Sequence, residues 1–197
     1  MPNKHKKNIG LFFGTFNPVH IGHMVIASYM AEFAGLDEVW MVVSPHNPLK
    51  EKASLLDDYQ RLYMVNLAID NHPKLRASNI EFKLSQPSYT IHTLTHLMEK
   101  YPEYHFALIM GSDNLENFHK WKNYERILEL SSLIVYPRPG YDGGDFKNHP
   151  SVKWVDAPLM QISSTFIRNA LKDKKQLDFI VPDKVLKYIK EMHFYEK

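Results

Sequence analysis

Short apolar segments alternate with longer helical segments along most of the chain, and this alternation constrains the fold more than any other feature. The apolar, β-prone segments cover residues 9–13, 38–43, 75–82, 104–110, 133–136 and 153–156. Segments of helical character cover residues 21–34, 57–69, 90–100, 114–118, 124–130, 164–171 and 183–193. Such alternation is typical of a parallel sheet with helices on both faces. We therefore predict an α/β fold with a Rossmann-like, doubly wound parallel sheet.

The length and composition indicate one domain over residues 1–197. A chain of 197 residues is of ordinary size for a single domain, and its hydrophobic content of 44% suffices for a full core. We expect residues 1–7 to form a flexible basic leader, and the C-terminal helices within residues 163–195 to belong to the same domain.

The charge balance and the missing residue types exclude several classes of function. The net charge is +2, from 24 basic and 22 acidic residues, so we expect neither a nucleic acid nor a membrane as partner. The absence of cysteine excludes disulfides and thiol chemistry and fits a reducing compartment. No segment approaches the roughly 18 to 20 apolar residues of a membrane span. We therefore expect a cytoplasmic protein.

One segment joins the first predicted strand to the first predicted helix and carries two histidines three residues apart. It begins at Gly14, which lets a ligand approach the backbone, and Pro18 fixes one dihedral of the connection. Residues three apart on a helix share a face, and a helix start favours an anion. We therefore expect His20 and His23 to flank a phosphate. The alternatives are a capping or surface histidine, or a metal site, for which two ligands are too few.

Polar residues follow three of the predicted strands at the point where each strand ends. They lie within residues 14–23, 44–50 and 111–113. In open parallel sheets, ligands bind beyond the carboxyl ends of the strands, near a switch in strand order. We therefore expect these three loops to converge on one crevice.

A second candidate phosphate segment covers residues 162–168, where hydroxyl groups stand at a predicted helix start. Arg168 follows Ser164 by four residues, so both lie on the same side of that helix. Hydroxyls, free N–H groups and a guanidinium together suit a polyphosphate. The alternatives are simple helix capping by Ser163 to Thr165 and a surface ion pair of Arg168.

With both segments in view, the chain resembles the HxGH nucleotidyltransferase superfamily. Members of that superfamily carry a Gly-x-Phe-x-Pro-x-His-x-Gly-His opening and a Ser/Thr-rich stretch with Arg or Lys near the C-terminus. Within it, the chain is similar to the bacterial nicotinate-nucleotide adenylyltransferases. That resemblance depends on residues 87–94, on 111–115 together with Trp121, and on 162–168, and it runs from residue 9 to residue 189.

The resemblance implies attack by the 5′-phosphate of nicotinate mononucleotide on the α-phosphorus of ATP, a step of NAD biosynthesis. The products would be deamido-NAD and pyrophosphate, with no covalent intermediate. A phosphate monoester is mostly dianionic at neutral pH, so positioning and charge neutralisation would suffice without a general base. The implied cofactor is Mg²⁺, held by ATP phosphates and water with no ligand from the protein. The implied partners are these two small molecules, and the oligomeric state stays open, with a homo-oligomer among the alternatives.

The resemblance also assigns roles to individual residues. His20 and His23 would hold the α- and β-phosphates, and Lys50 would add positive charge. Arg168, with Ser163 and Ser164, would hold the leaving pyrophosphate. The further ATP-binding residues would be Gly14, Thr15, Phe16, Gly111, Asp113 and Ile162. The nicotinate mononucleotide-binding residues would be Asn47, Tyr89, Thr90, Trp121 and Arg138.

Two of these assignments have a structural alternative. The backbone around Tyr89 and Thr90 would receive the pyridine carboxylate while Trp121 stacks on the ring, but a tryptophan there also suits ordinary packing. Asp113 would meet a ribose, or it would only cap a turn.

The chain departs from the family pattern at three positions. Residues 48–50 read Pro-Leu-Lys where Pro-His-Lys or Pro-His-Arg is common, so a histidine contact is lost while the cation remains. Ser112 stands where alanine is frequent, and His92 stands where aspartate is common.

Three other functions share part of these signals. Class I aminoacyl-tRNA synthetases also carry His-Ile-Gly-His, but this chain has no Lys-Met-Ser-Lys-Ser-like loop and no room for an anticodon-binding domain. A phosphopantetheine adenylyltransferase would leave residues 88–90 and Trp121 unexplained. A catalytically silent nucleotide-binding module would not need His20, His23 and Arg168 intact.

Overall fold

The computed structural model describes residues 6–45 and 55–196. Its strands are β1 (Lys7–Gly14), β2 (Glu38–Val43), β3 (Leu75–Ser78), β4 (Tyr104–Gly111), β5 (Ser132–Tyr136) and β6 (Val152–Trp154). Its α-helices are α1 (Ile21–Phe33), α2 (Asp58–Ile69), α3 (Thr90–Lys100), α4 (Ser112–Glu116), α5 (Tyr124–Leu130), α6 (Ser164–Lys172) and α7 (Asp183–Glu191). Within the two described ranges, no helix is both long and apolar enough to cross a membrane.

The six strands form one sheet in the order β3-β2-β1-β4-β5-β6, and every neighbouring pair is parallel. Strand β1 lies between β2 and β4, so the strand order changes direction beside it. This is the doubly wound arrangement in which ligands bind at the switch point. The predicted fold class is confirmed.

The apolar side chains of the central strands alternate between the two faces of the sheet. Strand β2 is buried throughout: Val39, Met41 and Val43 belong to one hydrophobic cluster with residues of helices α1, α2, α6 and α7, while Trp40 and Val42 belong to the other cluster with residues of α3, α4 and α5. Successive strand residues point to opposite faces, and a parallel sheet covered on both sides buries both sets. The near-continuous apolar runs of the sequence reflect this double burial.

The structure corrects two predicted strands. Strand β3 ends at Ser78 instead of residue 82, because a 3₁₀ turn over Ile80–Lys83 follows and buries the Glu81 carboxylate. Strand β6 covers Val152–Trp154 instead of 153–156, because its pairing with β5 spans only those residues.

The predicted flexible leader over residues 1–7 does not extend to Lys7. Lys7 is the first residue of β1, and its Nζ atom lies 2.8 Å from Glu38 Oε1 on the neighbouring strand. Residues 1–5 lie outside the described residues. The predicted bounds of α1, β2, α3 and α5 agree with the structure within one residue.

Arg61 of helix α2 joins the loops that follow β1 and β2. Its side chain is 0% exposed, and its guanidinium donates hydrogen bonds to the carbonyls of Thr15 at 2.6 Å, Ser44 at 2.8 Å and Leu56 at 2.9 Å. Asp58 forms an ion pair with the same guanidinium. Burial lowers the pKa of Arg61, and the Asp58 charge opposes that shift. One side chain therefore sets the distance between two loops at the carboxyl edge of the sheet.

We expect Arg61→Lys to lower the free energy of unfolding by about 3 kcal/mol. A single ammonium cannot reach all of these carbonyls, so buried acceptors would be left unpaired. Urea denaturation measures the change. The matched control is Arg126→Lys, because Arg126 is exposed and pairs with Glu129 on the same helix; we expect a change within about 0.5 kcal/mol there. Equal losses in the two variants would contradict the role given to Arg61.

Candidate active site

A cleft of about 740 Å³ opens at the carboxyl edge of the sheet. It is formed by the loops after β1, β4 and β5 and by the starts of helices α3 and α6. The predicted site residues that line it are Gly14, Thr15, Phe16, His20, His23, Tyr89, Thr90, Asp113, Trp121, Arg138, Ile162, Ser163, Ser164 and Arg168. Segments that are far apart in the sequence are thus brought together at one crevice.

His20 and His23 stack on each other at the start of helix α1. His20 is the residue before the first helical turn, and the two ring centroids are 3.7 Å apart with an interplanar angle of 24°. The His20 backbone N–H donates to His23 Nδ1 at 3.3 Å. Because Nδ1 accepts this bond, neutral His23 carries its proton on Nε2.

The stacking changes one expectation. The sequence predicts that the two histidines flank a phosphate, but rings at van der Waals contact leave no space for an ion between them. Both rings line the cleft, so a phosphate there would meet them from one side.

The His20 ring is buried and has an unsatisfied nitrogen. It is 4% exposed, and within the described residues its Nδ1 atom has no hydrogen-bond partner. Burial, together with the positive charge of Arg138, lowers the pKa of His20 to about 4. The imidazole is therefore neutral at pH 7, and a ligand would satisfy its free nitrogen.

Gly22 makes the position of the His20 ring possible. A Cβ atom at residue 22 would lie 3.1 Å from Cε1 and Nδ1 of that ring and 3.7 Å from Ile162. The two contacts at 3.1 Å are tighter than nearly all real contacts of a Cβ atom. The glycine of the His-x-Gly-His segment therefore lets the first histidine lie flat against its own helix start.

The start of helix α6 is hydrogen-bonded directly to the loop after β1. Ser164 Oγ donates to the carbonyl of Pro18 at 3.0 Å, and Arg168 Nη1 donates to the carbonyl of Asn17 at 2.9 Å. Arg168 Nη2 also donates to Thr165 Oγ1 at 3.2 Å. These partners are neutral oxygens, so within the described part of the chain the charge of the guanidinium stays uncompensated beside the cleft.

Ser163 caps helix α6, as the capping alternative predicts, and it also lines the cleft. Its Oγ atom accepts the backbone N–H of Phe166 at 3.2 Å, as a helix N-cap does, and its side chain also lines the cleft. Capping and ligand binding are compatible here, because one hydroxyl holds the helix start at which an anion would be favoured.

Asp113 and Arg138 form a pair of charged side chains in the cleft, across the switch point from the two histidines. Arg138 donates its backbone N–H to Ser112 Oγ at 2.8 Å and Nη1 to the carbonyl of Met160 at 3.1 Å. Its Nε atom lies 3.9 Å from Asp113 Oδ1, a buried atom that has no hydrogen-bond partner in the described part of the chain. This carboxylate oxygen is the second unsatisfied polar atom of the cleft.

Gly111 does not line the cleft, although it is predicted to bind ATP. A Cβ atom there would lie 2.4 Å from Asp113 Oδ1 and 2.8 Å from Arg138 Cγ. The glycine instead permits the close approach of these two side chains at the end of β4.

Glu81 holds the segment that precedes helix α3, and sequence reasoning missed it. It is 2% exposed, and it accepts hydrogen bonds from Thr93 Oγ1 at 2.7 Å and from Ser88 Oγ at 3.3 Å. These contacts fix the backbone of Tyr89 and Thr90, where α3 begins. The available signal was an acidic residue between two large apolar residues, Ile80 and Phe82, since a carboxylate is rarely buried without partners.

Trp121 and Lys122 border the same part of the cleft. Trp121 is half-buried, and its ring centroid lies 5.3 Å from that of Phe118, so it both packs and lines the cleft. Lys122 Nζ lies 4.5 Å from the centroid of the Tyr89 ring, within the range of a cation–π contact. An aromatic surface and a cation therefore lie beside the start of α3.

Two predicted site residues, Asn47 and Lys50, lie outside the described residues, as does the departure at 48–50. In the described ranges, no group of three or more His, Asp or Glu side chains could hold a metal ion.

Sequence comparisons agree with this geometry. A family model described as cytidylyltransferase-like matches residues 11–170. A probable nicotinate-nucleotide adenylyltransferase from Flavobacterium psychrophilum is 58% identical over 191 residues, which are 96% of this chain and 99% of that protein. The protein of the same name from Bacteroides fragilis is 48% identical over 93% of this chain and 92% of its own length.

Two solved structures share the fold. The Plasmodium falciparum nicotinic acid mononucleotide adenylyltransferase complexed with NaAD matches with a TM-score of 0.81 at 21% identity, covering 96% of this chain and 98% of its own. The same protein complexed with APC gives a TM-score of 0.81 at 22% identity, with the same coverage. The family model and the relatives together decide the classification: the chain belongs to the cytidylyltransferase-like proteins and, among them, to the nicotinate-nucleotide adenylyltransferase family.

Proposed function

We propose that this chain transfers the adenylyl group of ATP to nicotinate mononucleotide and releases deamido-NAD and pyrophosphate. The observation that carries the proposal is the buried, neutral His20, whose Nδ1 atom has no partner in the described residues, in the same cleft as Arg168. The name of the Flavobacterium relative and the NaAD complex of the Plasmodium protein support the choice of substrates.

The reaction needs charge neutralisation and alignment more than proton transfer. An oxygen of the acceptor phosphate forms a bond to the α-phosphorus, and the bond from that phosphorus to the bridging oxygen breaks. Pyrophosphate leaves with the electron pair, and no proton has to move because the attacking phosphate is already dianionic. The residues of the cleft would therefore act by positioning substrates and stabilising developing charge.

The phosphates would lie between helix starts α1 and α6. His20 and His23 would donate N–H groups to the α- and β-phosphates from one side. Arg168, with Ser163 and Ser164, would bind the departing pyrophosphate, and the N-terminal end of α6 would add a favourable dipole. Gly14, Thr15 and Phe16 would contact the nucleotide through their backbone, and Lys50 would add a further cation.

Mg²⁺ would enter with ATP. It would be bound by phosphate oxygens and water, and it would reduce the negative charge that the acceptor has to approach.

The acceptor would bind at the start of helix α3. The pyridine carboxylate would receive backbone N–H groups near Tyr89 and Thr90, at a helix end that favours an anion. Trp121 would stack on the pyridine ring, and Lys122 would contribute positive charge beside Tyr89. Asn47 and Arg138 are the proposed contacts for the rest of nicotinate mononucleotide, and Asp113 would meet the ribose of ATP.

The reaction is tested by pyrophosphate release from ATP and Mg²⁺ with nicotinate mononucleotide, nicotinamide mononucleotide or phosphopantetheine as acceptor. We expect nicotinate mononucleotide to be strongly preferred. Turnover with phosphopantetheine alone would show that the chain is a phosphopantetheine adenylyltransferase. No turnover with any acceptor would overturn the proposal.

His20→Ala should lower kcat at least about 100-fold in the same assay, because an N–H donor to the reacting phosphates is lost. The matched control is His105→Ala, since His105 is exposed at the amino end of β4, away from the cleft; its activity should equal that of the wild type. Near-normal turnover of folded His20→Ala would reject the role of His20.

The depressed pKa of His20 predicts a pH-dependent stability. Between its ordinary pKa of 6.5 and about 4, the unfolded chain binds a proton that the folded chain does not. Stability should therefore fall as the pH is lowered through this range. From pH 7 to pH 4.5, the wild type should lose about 2 kcal/mol more unfolding free energy than His20→Asn, as measured by urea denaturation. Parallel losses would show that the His20 pKa is not depressed.

Trp121→Ala should raise the KM for nicotinate mononucleotide about tenfold and change the KM for ATP less than about twofold, because ring stacking is lost only for the acceptor. Trp154→Ala on β6, which is outside the cleft, is the matched control. Equal increases in the two KM values for Trp121→Ala would indicate a packing role instead.

A further inference from the structure

The segment after helix α7 reaches back to the loop that follows β1. The Tyr195 hydroxyl donates a hydrogen bond to Asn17 Oδ1 at 2.7 Å across 178 positions of sequence. Asn17 is 3% exposed, and its Oδ1 atom also accepts the backbone N–H of Leu56 at 3.3 Å. One amide oxygen thus holds the loop between the C-terminal segment and the chain that leads into α2.

The same asparagine contacts Arg168 through its main chain. Its carbonyl oxygen accepts the hydrogen bond from Arg168 Nη1 at 2.9 Å. The preceding residue, Phe16, has a φ of 46°, a backbone conformation that L-residues rarely hold without support. Its side chain is only 1% exposed, so the surrounding core supplies part of that support. A shift of the Asn17 side chain would therefore move the carbonyl that orients the guanidinium.

We propose that Tyr195 is a positioning residue for adenylyl transfer, because its hydroxyl fixes Asn17 and, through the Asn17 carbonyl, the guanidinium of Arg168. The inference rests on the proposed function, in which Arg168 binds the leaving pyrophosphate. Tyr195 does not line the cleft, and it belongs to none of the sequence segments predicted to form the site.

The chemistry of the phenol suits this role. Burial raises the pKa of Tyr195, although the positive charges of Arg168 and Arg61 oppose the shift. The hydroxyl therefore keeps its proton near neutral pH and stays a donor to Asn17 Oδ1. The Tyr195 ring packs against the core and its hydroxyl bonds to one amide oxygen, so a phenylalanine ring would fill the same space without the hydrogen bond.

The test is a double-mutant cycle of Tyr195→Phe and Arg168→Met, read by pyrophosphate release. Tyr195→Phe should lower kcat about fivefold, in line with the loss of one hydrogen bond. It should also raise the KM for pyrophosphate in the reverse reaction about fivefold, and leave the KM for nicotinate mononucleotide within about twofold. In the Arg168→Met background it should change kcat less than about twofold, because no guanidinium remains to be positioned.

A purely structural role gives a different pattern. It would lower the melting temperature while kcat per folded enzyme stays the same, or it would lower kcat equally in both backgrounds; either result overturns the inference. If turnover of Arg168→Met is too slow to measure, the same cycle is read from the Kd of ATP by calorimetry.

Two comparisons separate this inference from the proposed function. Tyr188→Phe removes a hydroxyl from the same C-terminal region, where the ring packs against Tyr63 and Phe194, and it should leave kcat unchanged. If Arg168→Met has wild-type activity, the assignment of Arg168 fails and the inference fails with it. If Arg168→Met is impaired while Tyr195→Phe is not, only the inference about Tyr195 is wrong.

Discussion

The pairing of β1 with β2 on one side and with β4 on the other determines where this protein can bind a nucleotide. The chain leaves β1 toward α1 on one face of the sheet, and it leaves β4 toward α4 on the opposite face. The connections therefore diverge at the carboxyl edge, and a gap opens between them. The stacked histidines border this gap on the β1 side, and Asp113 with Arg138 border it on the β4 side.

The loop after β1 is held mainly by side chains from other elements. It lies outside regular structure, so its carbonyl groups need partners when they are buried. Thr15 receives a hydrogen bond from Arg61, Asn17 from Arg168, and Pro18 from Ser164. Of the three donors, the guanidinium of Arg168 also lines the cleft, so one contact that orders the loop brings positive charge there.

The cleft residues that can be predicted from the sequence are those marked by a short pattern of neighbouring residues. The spacing of His20 and His23 and the hydroxyls before Arg168 are short-range patterns, and the structure brings all of them to the cleft. The alternation of segments likewise predicted the parallel sheet, because double burial of strands is visible in the sequence itself.

Two of the missed features depend on contacts between distant positions. Arg61 bonds to Thr15 across 46 positions, and Tyr195 bonds to Asn17 across 178, so no local pattern marks either residue. Glu81 was read as part of a strand because its neighbours are apolar, although its partners Ser88 and Thr93 lie on the following segment. The motif predicts that Gly111 binds ATP, but Gly111 does not line the cleft, and a Cβ atom there would meet the side chains of Asp113 and Arg138.

The Arg61 contacts also have a consequence for local unfolding. The same guanidinium binds carbonyls of the loops after β1 and β2 and of the segment before α2, so none of the three can detach without breaking bonds to a fully buried charge. Regions that open separately have few such shared contacts. We therefore expect the described backbone at Thr15, Ser44 and Leu56 to open together with α2 and not separately from it.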